Sequence, residues 1–121
     1  MGSKGARPAA ALAWAVETFG PVAADPAERG LRLLEEAMEL AQCLGVSGAQ
    51  ADALALRVWG RDPGLLHQEF AQVLLCLEAA AAASRVDLDA VAEKEFARIQ
   101  KLPASHHRRR HEVKKRGGIA T

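Results

Sequence analysis

Residues 33–44 read Leu33-Leu34-Glu35-Glu36-Ala37-Met38-Glu39-Leu40-Ala41-Gln42-Cys43-Leu44. At about 100° per residue, Leu33, Leu34, Ala37, Leu40, Ala41 and Leu44 share one face of a helix. Glu35, Glu36 and Glu39 gather on the opposite arc, with Arg32 among them. Apolar residues at this period mark an amphipathic helix and not a strand. Upstream, Asp25 stands at an N-cap position, Pro26 at the first helical position and Glu28 three residues after the cap, a capping-box arrangement. Downstream, Gly45 suits the stop. The helix therefore spans about Pro26–Leu44.

The same punctuation repeats on both sides. A first helix is expected over Ala9–Phe19, closed by Gly20-Pro21. A third runs over Gly48–Trp59, opened by the pair Ser47 and Gln50 and followed by Gly60. A fourth covers Leu65–Ser84 after Asp62-Pro63-Gly64. A fifth covers Leu88–Leu102, capped by Asp87 and ended by Pro103. Short connections favour antiparallel neighbours, so the expected fold is an all-α, up-and-down bundle of about five helices. Composition agrees. Of 121 residues, half are hydrophobic, 26 are Ala, 4% are aromatic and none is Tyr. Ala favours helices and disfavours strands, which speaks against a sandwich, a barrel or a Rossmann sheet. Residues 1–103 are expected as a single helical domain. An Ala-rich bundle of this size has a thin core, and self-association into at least a dimer is the usual remedy.

The formal net charge of +1 hides an asymmetry. Residues 104–121 carry six Lys/Arg against one Glu, and the rest of the chain ten basic against fourteen acidic groups. The chain reads as an acidic body with a basic, flexible C-terminal tail, ordered only by a partner or by folding over the acidic body. The acidic body argues against nucleic acid as a partner. The tail has no aromatic to stack on bases, and its His107 and His111, although at i and i+4, do not make a zinc site. Cys43 and Cys76 give no disulfide framework. No apolar stretch reaches the length of a membrane span, and no secretory signal opens the chain. Met1-Gly2 begins like an acylation signal, but Ala6 stands where Ser or Thr is wanted. The expectation is a soluble, cytoplasmic protein.

Two clusters carry chemistry. The acidic arc of the second helix is, taken alone, what a solvated helix face looks like. Glu36 and Glu39, at i and i+3, nevertheless lie side by side with no basic residue four positions on to relieve them. In the fourth helix, His67, Gln68, Ala71 and Glu78 form a polar edge. Glu69 projects the other way, between Leu65, Val73, Cys76 and Ala80, so it is expected to face the interior. A buried carboxylate needs a proton, an Arg or Lys partner, or a metal ion. If the acidic arc packs against the Glu69 face, Glu36, Glu39 and Glu69 converge, and all-oxygen ligation suits Mg²⁺ or Mn²⁺. Lys94, Arg98 and Lys101 recur at i, i+4 and i+7 on one side of the fifth helix. They read either as a phosphate clamp or as a solvated stripe. Trp14 and Trp59 are the candidates for stacking on a base. Trp14 sits among alanines and suits a core or dimer contact, whereas Trp59 precedes the Gly60–Gly64 loop.

Glu35-Glu36-Ala37-Met38-Glu39 resembles the E-E-x-x-E motif of the MazG-like, all-α nucleoside triphosphate pyrophosphohydrolases, a superfamily that includes dimeric dUTPases and dCTP pyrophosphatases. Its E-x-x-D motif, some thirty residues on, has its counterpart in Glu69-Phe70-Ala71-Gln72. Lys94 and Arg98 match a Lys and Arg of its last helix. The resemblance covers about residues 25–102. It implies Mg²⁺ ligation by Glu36, Glu39 and Glu69, with Glu35 orienting or deprotonating the attacking water. It implies hydrolysis of a nucleoside triphosphate between its α- and β-phosphates, to a monophosphate and pyrophosphate; the apolar surface of the helices suits a homodimer or a homotetramer alike. Gln72 departs from the pattern. It offers a neutral carbonyl oxygen where the family has Asp, which weakens metal binding. The alternative is therefore a non-catalytic protein of the same fold that binds a nucleotide or a partner. A di-iron bundle would want Glu-x-x-His on its helices, which is lacking.

Overall fold

A computed structural model describes residues 6–121, and the Met1-Gly2 start lies outside the described residues. The chain is all-helical. Six helices follow in order: α1 (Ala6–Phe19), α2 (Pro26–Cys43), α3 (Gly48–Trp59), α4 (Leu66–Ala83), α5 (Leu88–Gln100) and α6 (Ala104–Arg116), with a 3₁₀ turn over Pro21–Ala24. No described helix is long and apolar enough to cross a membrane.

Capping chemistry sets the helix starts. The Asp25 carboxylate accepts from the Ala27 N–H at 3.4 Å, with Pro26 opening α2. Ser47 and Gln50 form a reciprocal box: Ser47 Oγ accepts from the Gln50 N–H at 3.1 Å, and Gln50 Oε1 from the Ser47 N–H at 2.9 Å. Asp87 accepts from the Ala90 N–H at 3.1 Å. Three helix ends share one design, in which the residue two past the cap bonds back across the last turn. The Val46 N–H donates to Ala41 O, Val86 N–H to Ala81 O and Ile119 N–H to Lys114 O. Such an end needs one residue at positive φ. Gly45 (95°) and Gly118 (76°) supply it without a Cβ penalty, whereas α4 uses Arg85 (58°).

Two compact units make up the chain. One reaches from α1 to Val46 and takes in Arg98–Thr121; the other is Ser47–Ala97. In the first, α1 packs against α6 and the 3₁₀ turn, and the turn packs against the start of α2. Ala15, Thr18, Ala23 and Glu28 are buried there. The segment expected as a flexible tail is thus α6, a packed helix. His107 and His111, four apart, fall on one face of it. The His107 ring meets Trp14 and Phe19 edge-on, at 5.1 and 6.2 Å between centroids, and His111 lies 5.4 Å from Phe19. His107 Nε2–H donates to Ile99 O at 3.1 Å. In the second unit, Ala81 alone among described residues is buried, and the large apolar side chains of α3 and α4, Leu77 apart, are exposed. Leu56 is 79% and Phe70 65% exposed. Cys43 and Cys76 are free thiols, both exposed.

Candidate functional site

The middle of α2 gathers charge as its periodicity dictates. One carboxylate oxygen each from Glu35, Glu36 and Glu39 lie within 4.8 Å of one another. Glu36 and Glu39 are exposed, whereas Glu35 is half-buried beneath α6. Arg32 Nη1 donates to Glu35 Oε1 at 3.0 Å, and Lys114 Nζ, from α6, donates to the same oxygen at 2.8 Å. The two acids respond in opposite directions. The Lys114 hydrogen bond holds the Glu35 carboxyl below the usual range, against some desolvation and with help from the charges of Lys114, Arg32 and Arg110. Partial desolvation on the crowded helix face pushes Glu36 up, and the charges of Glu39 and Glu35 push it further. Glu36 thus carries charge that its neighbours do not neutralise.

Hard, oxygen-only donors with unrelieved negative charge are what Mg²⁺ or Mn²⁺ takes. Metal–oxygen distances of about 2.1 Å put ligand oxygens about 3–4 Å apart. The 4.8 Å spread of the cluster is wider than that, and the exposed Glu36 and Glu39 side chains would have to rotate to close it. The cluster therefore fits such an ion, with Glu36 and Glu39 as the residues free to hold it.

Behind the cluster lies a second group of polar residues that sequence reading did not single out. Glu28 is fully buried. Its Oε1 accepts from the Thr121 N–H at 2.9 Å and from the Thr121 hydroxyl at 3.2 Å. Its Oε2 faces Arg32 Nε at 3.1 Å, Arg29 Nη2 at 3.7 Å and His111 Nδ1 at 3.9 Å. Arg32 also donates to Ile119 O. Burial works to raise the Glu28 pKa. The Thr121 N–H, the Arg32 charge and the Thr121 hydroxyl outweigh it and hold the carboxyl below the ordinary range. Glu28 follows Asp25 at capping-box spacing but bonds elsewhere, because Arg32 one turn on and the segment after α6 compete for it. The available signal was Arg29 and Arg32 at i+1 and i+4, together with the His107–His111–Lys114 stripe.

Other expected site residues are more dispersed. Glu69 and Gln72 belong to the second unit, as does Lys94, while Arg98 and Lys101 fall in the first. All five are exposed. Glu69, expected to face the interior, instead lies over the loop before α4, where a Cβ at Gly64 would meet its carboxyl group at 3.4 Å. The reason is that Leu65, Val73 and Cys76, its apolar neighbours, are exposed as well, so the face they share is left open by the described residues of its own unit. Trp14 is half-buried against Phe19, at 5.9 Å, and against His107, which makes it a packing residue. Trp59 is 72% exposed. It lines an open groove with Asp52, Ala55, Leu56 and Gly60. Compared with family models, with curated proteins and with solved structures, the chain matches none.

Proposed function

We propose that the chain is a Mg²⁺-dependent nucleoside triphosphate pyrophosphohydrolase of the MazG-like kind, cutting its substrate to a nucleoside monophosphate and pyrophosphate. The observation that carries this is the convergence of Glu35, Glu36 and Glu39 on one face of α2, in the order of the E-E-x-x-E motif that the sequence resembles. Glu36 and Glu39 would hold the ion. Bound there, it would supply charge neutralisation for the phosphates. Glu35, fixed on one oxygen, accepts the proton of the attacking water. Glu69 enters as a further ligand, and Lys94, Arg98 and Lys101 as phosphate contacts, on the resemblance alone. The exposed apolar faces of α3 and α4 support a homodimer or homotetramer, since a chain that leaves such patches open buries them against another surface.

The test is pyrophosphate release from a panel of ribo- and deoxyribonucleoside triphosphates with Mg²⁺ or Mn²⁺. Activity on at least one is expected. Glu35→Gln should then lower turnover by about 10²–10⁴-fold with Mg²⁺ affinity kept, while Glu36→Gln should weaken Mg²⁺ binding itself. Absence of release from every triphosphate defeats the proposal. A second reading, a non-catalytic nucleotide- or partner-binding protein, is favoured by Gln72, which stands where the family has an acidic ligand.

A further inference from the structure

The two cations at the carboxylate cluster do not spread over it. Arg32 Nη1 and Lys114 Nζ both donate to Oε1 of Glu35, at 3.0 and 2.8 Å. Among the described residues, Glu35 Oε2 takes part in no hydrogen bond. Glu36 feels Lys114 only as more distant charge. Lys114 is not a loose surface lysine. It is 21% exposed, on a helix fastened at both ends. At one end His107 wedges against Trp14 and Phe19. At the other, Thr121 donates twice to the buried Glu28, and Arg32 holds Ile119 O. Arg32 bridges Glu28 to Glu35 as well.

A carboxylate whose oxygen is held by a guanidinium and an ammonium is a poorer metal ligand, because the two adjacent positive charges offset its own and repel an incoming dication. Its neighbours at i+1 and i+4 have no such tie. We propose that Lys114 is a positioning residue: with Arg32 it withholds Glu35 from the ion, so that Glu36 and Glu39 bind metal and Glu35 Oε2 is left to face water. This rests on the hydrolase reading and adds to it. Three chemically identical side chains are given two roles by a helix that the E-E-x-x-E resemblance does not cover, and Lys114 sets which carboxylate does which.

Mn²⁺ binding separates this from a plain surface ion pair, without any turnover. Calorimetric titration would use the full chain as wild type, Lys114→Gln, Glu35→Gln and the double variant, each first checked for helicity and melting temperature. Lys114→Gln should bind Mn²⁺ several-fold more tightly, because Glu35, then held by Arg32 alone, can join the ion. Glu35→Gln alone should stay within about twofold of wild type. Adding Glu35→Gln to Lys114→Gln should abolish the gain, and Lys114→Arg should bind as wild type does. Unchanged or weaker binding in Lys114→Gln, a gain that survives in the double variant, or no Mn²⁺ binding by any of the four overturns the proposal. The kinetic arm reads separately. Lys114→Gln should lower kcat and leave KM for the triphosphate unchanged, with rescue by Lys114→Arg. A rise in KM alone would make Lys114 a phosphate contact and overturn the positioning role. Wild type that releases no pyrophosphate but shows the Mn²⁺ pattern would remove the hydrolase reading and leave the division of the carboxylates standing.

Discussion

The two units of the chain reach order by opposite means. The first buries little apolar surface and closes instead around a carboxylate: Glu28 takes two bonds from Thr121 and faces Arg32, Arg29 and His111. The second has caps and helix ends as well formed as any in the first, yet leaves Leu56, Trp59, Leu65, Leu66 and Phe70 at least 65% exposed. Polar satisfaction is local and geometric, so a chain can complete it alone. Apolar burial needs area, and the second unit does not find that area within itself.

The largest expected effect breaks the first unit. Glu28→Ala leaves Arg32 and the Thr121 donors around a buried gap, and removal of one partner from a buried charged network costs about 3–5 kcal/mol. Urea denaturation should show that loss in midpoint, and a change below about 1 kcal/mol would mean that the network is not what holds α6 down. Next comes the second unit. Leu56→Glu with Phe70→Glu should leave helicity intact and give a monomer in sedimentation where the proposed oligomer is expected of the wild type, since each side chain is worth about 1.5–3 kcal/mol when fully buried. Wild type that sediments as a monomer would show that the exposed faces stay bare.

Acidity sharpens the contrast within the first unit. Glu36 is pushed up and Glu35 held down. On acidification Glu36 should take its proton first, while Glu35 stays ionised. The stabilisation from the Glu35–Lys114 pair is complete above the unfolded-state pKa of Glu35 and disappears as pH falls through its lower folded value. For Glu36 the sign reverses: its ionisation works against the fold, and that penalty sets in as pH rises through its elevated pKa. Carboxyl carbon shifts of the two residues followed by NMR would check the order. Coincident titration would remove the asymmetry. The smallest effects lie in the connectors. Arg85→Gly should stabilise by up to about 1 kcal/mol by relieving positive φ, and Gly45→Ala should cost about 1 kcal/mol, both read from thermal unfolding.

Much of this was legible beforehand, and for physical reasons. Asp25-Pro26, Ser47 with Gln50, Asp87, and the stops at Gly45 and Pro103 act over three or four residues, so helix boundaries came out within a few positions. The grouping of Glu35, Glu36 and Glu39 follows from helical period alone. What depended on distant contacts did not show. Lys114 meets Glu35 across 79 positions and Thr121 meets Glu28 across 93. Composition made the basic segment look like a solvated tail. It hid the His107–His111–Lys114 stripe that seats α6. The interior placement of Glu69 failed because periodicity tells which residues share a face, not whether that face is covered.

The discontinuity of the first unit has a consequence in time. Its α1 and α2 leave the ribosome before Ser47–Ala97, and α6 only afterwards. At roughly 5–20 residues per second, synthesis of the intervening segment takes about 3–10 s. That is long compared with helix formation, which takes about a microsecond. Through that interval Glu28 and Glu35 stand on a finished helix without their partners from the later segment. The order of manufacture therefore delivers the acids first and Lys114 last, so the nascent chain passes through a stage in which Glu35 has only Arg32, on its own helix, to hold it.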